Sequence, residues 1–204
     1  VVFSDEIYDE MLYGDAQHVP MATLVRETLC ATFNGLSKIY RACGYRVGWI
    51  AFSGDREHAK EYLHAVELLA SLRLCANVPG QWAVQTALGG YQSIRELTSS
   101  GGRLYQARQA IIDGVNNSEF LSLHEPDGAM YAFPAVDTSR FKSFDDQAFA
   151  MELLEKKHVL IAPGSSFNVP YQNHFRLTTL PTGQEMEMVF ERMEEVLQSM
   201  QDAQ

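Results

Sequence analysis

The sequence predicts an α/β fold in two parts, a larger layered part over residues 1–100 and a smaller α+β part over residues 101–204. Three observations predict it. Short β-rich apolar runs at Val1–Phe3, Leu29–Phe33 and Val47–Phe52 precede an amphipathic stretch, the pattern of a sheet covered by helices. The cluster Ser99-Ser100-Gly101-Gly102 then punctuates the chain near its middle. Beyond it the order β-β-α-β-β-α describes an α+β layer with helices on one face.

Each element has a local reason. The first run ends at Asp5, and the polar stretch from Asp9 to Thr28, with Gly14-Asp15 and Pro20, reads as a surface excursion. Leu29–Phe33 reads as a buried strand stopped by the turn signal Asn34-Gly35. Asp55 to Leu74 has helical spacing, with Leu63, Val66, Leu69 and Ala70 on a face that should cover the sheet. Asn77-Val78-Pro79-Gly80 breaks that helix, and Pro79 suits the first turn of a second one, Gln81 to Tyr91. Trp82 reads as a packing or interface residue.

In the smaller part a helix over Arg103–Val115 leads to strands Leu121–His124 and Ala129–Ala135, joined by the turn Pro126-Asp127-Gly128. Ser143 can cap a helix running to Lys157, with Asp145 and Asp146 in its first turn. A strand over Val159–Ala162 stops at Pro163-Gly164, and a last strand spans His174–Thr178. The closing helix, Gln184 to Met200, puts Met186, Val189, Met193, Val196 and Leu197 on one core stripe.

Composition excludes several classes of function. A net charge of -10 argues against nucleic acid or an anionic membrane as partner, since both need clustered Lys and Arg. No run approaches the roughly 20 apolar residues of a membrane span, and no signal peptide is visible. Cys30, Cys43 and Cys75 lack paired spacing and read as reduced core thiols of a cytoplasmic protein. None of the 6 histidines has a spaced partner, His18 included, so no metal site is expected.

The chemistry concentrates in TFNGLSKIYRACGYRVGW, Thr32 to Trp49. Lys38 follows the turn after a buried strand, where desolvation favours the neutral amine that attacks a carbonyl. Arg46, further along, offers a planar fork suited to a phosphate. Alone, such a pair is also what a solvated edge looks like. Asp5 and Tyr8, in VVFSDEIY, stand just past a strand's C-terminal end, where open α/β sheets place their ligands. A carboxylate there could pair with a protonated pyridine nitrogen, a phenol could bond the ring's oxygen, and the ligand so described is pyridoxal 5′-phosphate. Arg176, inside the last strand, reads by itself as an edge position or a structural salt bridge.

Taken together, D-x-x-Y after a strand, S-K, and G-Y-R-x-G-W resemble the fold-type I, class I/II aminotransferases. The likeness continues through GGYQSIRE, PDGAMYAFP, PGSSFN and HFRLTTL. SDEIYDEMLY, TFNGLSKIYR, LRLCANVP and QTALGGYQSI are most similar to the bacterial glutamate–pyruvate (alanine) aminotransferases within that family.

The resemblance carries definite implications. Residues 1–100 would be the C-terminal part of the large, mostly parallel, pyridoxal-phosphate-binding domain, and 101–204 the small domain. Lys38 would hold the cofactor as an internal aldimine and shuttle the proton, Asp5 and Tyr8 would contact the ring, and Arg46, with Ser37 as helper, the phosphate. Arg176 would grip the substrate α-carboxylate. Arg41 reads either as a further phosphate neighbour or as a solvated side chain, and Gly35 stands where the aspartate-specific branch has a serine. The implied reaction transfers an amino group between an L-amino acid, alanine above all, and a 2-oxo acid, in a homodimer. Since the chain opens inside a strand without Met, a missing N-terminal half is expected, and the piece alone should not catalyse. Another class I/II aminotransferase, a C–S lyase, or the aminotransferase-like domain of a transcription regulator would keep the same residues.

Overall fold

The computed structural model describes residues 1–203, which form two compact units, Val1–Arg95 and the residues from Glu96 on. In the first, β1 (Val2–Asp5) pairs in parallel with β2 (Leu29–Gly35), and β2 pairs antiparallel with β3 (Gly48–Gly54). A short helix, α1 (Met21–Leu24), lies on the excursion between β1 and β2. The strand β2 runs on through Asn34-Gly35 instead of turning there, because the glycines on the facing strands let the backbones close. A Cβ at Gly35 would meet the Val47 carbonyl oxygen at 2.8 Å, and one at Gly48 the Asn34 carbonyl oxygen at 3.0 Å. Leu29, Cys30, Ala31, Leu36 and Ile39 are buried.

Two helices follow, α2 (Lys60–Ser71) and α3 (Val78–Gly89), with a short α4 (Ile94–Thr98) after them. The start of α2 lies later than Asp55 because the Asp55 carboxylate accepts from the backbone N–H of Glu57 (3.0 Å) and His58 (3.3 Å), holding that segment in a turn. Asn77 caps α3 by accepting from the Gly80 N–H at 3.2 Å, with Pro79 in the first turn. The expected cover of the sheet by α2 is corrected: none of its residues is buried, and Leu69 is 67% exposed. Only Leu63 and Val66 of the anticipated face are half-buried, since no second layer stands against it among the described residues of this unit. Trp82 is exposed as well. Cys43 and Cys75 are exposed too, a second correction: only Cys30 is a core thiol.

The second unit opens with α5 (Arg103–Asn117), followed by β4 (Leu121–Ser122), β5 (Tyr131–Ala132) and β6 (Ala135–Val136). Next come α6 (Asp146–Lys157), β7 (Ala162–Pro163), β8 (Phe175–Thr178) and α7 (Gly183–Asp202). The order β5-β8-β7 makes one antiparallel sheet and β4-β6 a second ribbon. The single strand expected over Ala129–Ala135 is thus two short ones, and the strand expected over Val159–Ala162 begins only at Ala162. Val159 and Ile161 are buried in the core instead. The α6 cap is Asp145, accepting from the Ala148 N–H at 2.7 Å, and not Ser143.

Helices α5, α6 and α7 meet over Ile111, Phe149, Leu153, Phe175, Met193 and Leu197, all essentially without solvent contact. The stripe expected on the closing helix holds for Met186, Met193, Val196 and Leu197. Gly114 of α5 faces α7 closely: a Cβ there would stand 2.4 Å from the Phe190 ring. Gly114→Ala should therefore destabilise the protein by about 1–3 kcal/mol through overpacking, against the gain of about 1 kcal/mol that alanine brings to a solvated helix. Denaturant midpoints check the sign. Among the described residues no helix is long and apolar enough to cross a membrane.

Candidate functional site

Five of the residues singled out above come to one edge of the β1–β2–β3 sheet. Asp5 ends β1, and the parallel register Asp5↔Phe33 brings the ends of β1 and β2 side by side. Ser37 and Lys38 follow the end of β2, and Arg46 precedes the start of β3, whose Gly48 pairs with Gly35. Topology alone thus gathers an acid, an amine, a hydroxyl and a guanidinium. The Lys38 Nζ lies over the Tyr8 ring, 5.9 Å from its centroid. Lys38 is half-buried, and its side chain makes no hydrogen bond or ion pair among the described residues.

Asp5 accepts from the Ile7 N–H at 3.2 Å through one oxygen, a small turn that fixes the carboxylate at the strand end. Arg46 is left-handed at φ 52° and ψ 46°, and its Nη1 donates to the Cys43 carbonyl at 2.7 Å, which anchors the fork while leaving other donors at the surface. Ser37 is half-buried and makes no hydrogen bond among the described residues. Arg41, also at φ 52°, donates to the Ser93 hydroxyl at 2.5 Å and to the Ile39 carbonyl at 3.2 Å. It is therefore tied to the protein rather than simply solvated.

Arg176 belongs to the second unit. It lines a cleft of about 910 Å³ with Tyr131, Phe133, Phe167, Tyr171 and His174. No carboxylate pairs with it among the described residues. Burial pushes the His174 imidazole below its ordinary pKa.

Comparisons with known proteins give the family of the chain as a whole. The family model for aminotransferase class I and II matches residues 1–193. The chain belongs to the class I and II aminotransferases. This aminotransferase chain is 48% identical over 92% of its length to the glutamate-pyruvate aminotransferase AlaA of Escherichia coli, of which it spans 46%. It is 44% identical, over 95% of its length and 45% of the relative's, to an alanine aminotransferase of Mycobacterium bovis. Among solved structures, an Escherichia coli aminotransferase superposes with a TM-score of 0.92 at 46% identity, covering 96% of this chain and 48% of that one. An alanine aminotransferase from Pyrococcus furiosus superposes with a TM-score of 0.88 at 33% identity, covering 97% and 49%. The chain spans about half the length of the curated relatives it matches, and its fold is the α/β fold of its aminotransferase neighbours.

Sequence reasoning missed the supports behind this aminotransferase edge. Buried Glu6 accepts from the Ser4 hydroxyl (3.0 Å) and the Met21 N–H (2.9 Å), and its other oxygen lies 3.1 Å from His18 Nε2. Burial by itself would raise its pKa, but the bonds from Met21, His18 and Ser4 outweigh it and hold the carboxyl below its ordinary value. Asn34 donates to the Glu6 carbonyl and to Asp9 Oδ2, both at 3.0 Å, while its own oxygen accepts from the Gly35 N–H at 2.7 Å. One side chain thereby ties the exit of β1 to the exit of β2. Burial pushes the Asp9 carboxyl up, and burial with the charges of Glu10 and Asp9 pushes the Tyr40 phenol up. The only signal in the sequence was polarity inside short apolar runs, which does not reveal partners so far away along the chain.

The lowered Glu6 value fixes a sign. A carboxyl whose folded pKa lies below its unfolded one stabilises the fold above the ordinary glutamate range, and loses that contribution as pH falls through the lowered value. Glu6→Gln should be less stable than the parent at neutral pH, with the gap narrowing in acid. Denaturation midpoints against pH measure this, and a gap independent of pH contradicts it. Among the described residues no group of three or more His, Cys, Asp or Glu side chains is placed to hold a metal ion.

Proposed function

We propose that the chain supplies the lysine-bearing part of a pyridoxal-phosphate enzyme that moves an amino group from an L-amino acid, alanine above all, to a 2-oxo acid such as 2-oxoglutarate. The observation that carries the reading is the convergence of Asp5, Tyr8, Ser37, Lys38 and Arg46 at one sheet edge. The donor set fits the cofactor: an amine for its aldehyde, a carboxylate for its ring nitrogen, a phenol for its ring oxygen, and a hydroxyl and guanidinium for its phosphate. When bound, the cofactor supplies an electron sink for the pair released at the substrate Cα.

The rest falls to the chain. Lys38, whose side chain has no hydrogen bond or ion pair to break among the described residues, would hold the cofactor through its aldehyde carbon, and its amine would carry the proton between the substrate Cα and the cofactor's C4′. Asp5 keeps the ring nitrogen protonated. Arg46, anchored through Cys43, meets the phosphate with a fork that stays charged. Arg176 presents its fork to the α-carboxylate. Residues 1–100 would then carry the cofactor and 101–204 form the small domain, within a cytoplasmic homodimer that handles small acids and neither nucleic acid nor membrane.

The names of the relatives favour alanine as donor over other amino acids. A screen of amino donors with the complete protein, following oxo-acid release, should give its highest kcat/KM with alanine or glutamate as donor. A methionine or aromatic optimum would overturn the substrate assignment but not the cofactor one.

A further inference from the structure

Arg176 is charged, sits on a strand, and is surrounded by rings. Its Cζ lies 4.7 Å from the centroid of Tyr131 and 4.7 Å from that of Phe167. Both rings are placed by the fold. Tyr131 comes from the neighbouring strand, at the register Tyr131↔Thr178, which sets it on the same face as Arg176. Phe167 ends the 3₁₀ turn Gly164–Phe167, and left-handed Asn168 at φ 55° turns the chain away after it.

Phe167 is itself held. The Phe133 ring meets it edge-on, 5.8 Å away at 89°, and stacks on His174 at 5.1 Å and 28°. His174 Nδ1 in turn lies 2.9 Å from Asn173 Oδ1. The contacts therefore run as a chain from an anchored histidine to the guanidinium. An arginine inside a protein is usually held by a carboxylate, which occupies the edge of the fork and neutralises it. Here that edge carries no hydrogen bond or ion pair among the described residues. Cation–π contact holds the guanidinium against the ring faces without a carboxylate that would neutralise it. Burial lowers the His174 pKa and so favours its neutral form beside the guanidinium.

We propose that Tyr131 and Phe167 are positioning residues, which hold the Arg176 guanidinium in place by cation–π contact, without a carboxylate, so that its N–H fork is kept for the carboxylate of the substrate. The inference rests on the reading of Arg176 given above and deepens it. It also makes the grip on the carboxylate depend on two rings that need not touch the reacting atoms. A loosened fork still attracts a carboxylate, but no longer holds it in two parallel hydrogen bonds.

Steady-state kinetics on the complete protein test this. Phe167→Leu and Tyr131→Leu should each raise KM for the amino acid by about tenfold, the size of a partly desolvated cation–π contact, with a much smaller change in kcat. Phe167→Tyr should restore KM. In an Arg176→Ala background, Phe167→Leu should add nothing further to KM, because there is no fork left to hold. Phe167 is 39% exposed, so its truncation leaves little cavity, and unchanged circular dichroism and cofactor content check the fold. A raised KM in Arg176→Ala beside an unchanged one in Phe167→Leu would overturn the positioning role alone. Additive losses in the double variant would do the same. An unchanged KM in Arg176→Ala would overturn the assignment of Arg176 and the positioning role with it.

Discussion

Lys38→Ala should lower amino-group transfer by on the order of 10⁴-fold or more, because one side chain carries both the covalent anchor and the proton transfer. The loss should fall on kcat. Cofactor affinity should drop less, since the phosphate and ring contacts assigned to Arg46, Ser37, Tyr8 and Asp5 remain. Its placement supports so large an effect: Lys38 stands just past β2, half-buried, with its Nζ over the Tyr8 ring and no ion pair among the described residues. The first unit holds one other lysine, Lys60, which starts α2 and is paired to Glu57. Added primary amines of small size should restore part of the proton transfer in the alanine variant, and absence of any rescue together with high residual activity would argue against the role.

Asp5→Asn should lower kcat by about 10²-fold, the loss of a charge-assisted hydrogen bond to the ring nitrogen, while leaving the shape of the site intact. One Asp5 oxygen is taken by the Ile7 N–H at 3.2 Å, and an asparagine oxygen can keep that bond. The other position changes from an acceptor to a donor, and a donor cannot hold a proton on the ring. Activity should therefore fall without loss of folding. Stopped-flow measurement of proton removal from Cα separates this from a binding defect, because the deficit should sit in that step. A normal rate of proton removal in Asp5→Asn would contradict the assigned role.

Much of this edge was legible because its residues are close in the sequence to the strands that place them. Asp5 ends β1, and Lys38 and Arg46 lie just beyond β2 and just before β3, so strand ends alone predict a common edge. Arg176 was visible as a charge in a β run, but its aromatic neighbours were not. Tyr131 and Phe167 reach it through the pairing of β5 with β8 and through a turn after β7, and neither pairing has a local signature. Glu6 was hidden for the same reason, since its partners His18 and Met21 lie across the excursion. Helix lengths erred where a side chain captured the backbone, as Asp55 does before α2 and Asp145 before α6. The apolar spacing of α2 was real, yet periodicity names a face to be covered without naming its cover. In this unit that face stays open among the described residues.

The central claim is a covalent one and has a direct measurement. Borohydride reduction of the protein incubated with pyridoxal 5′-phosphate, followed by peptide mass mapping, should place the cofactor's mass on the peptide containing Lys38 and leave Lys38→Ala unlabelled. Label on a different lysine, or equal labelling of the alanine variant, would contradict the account.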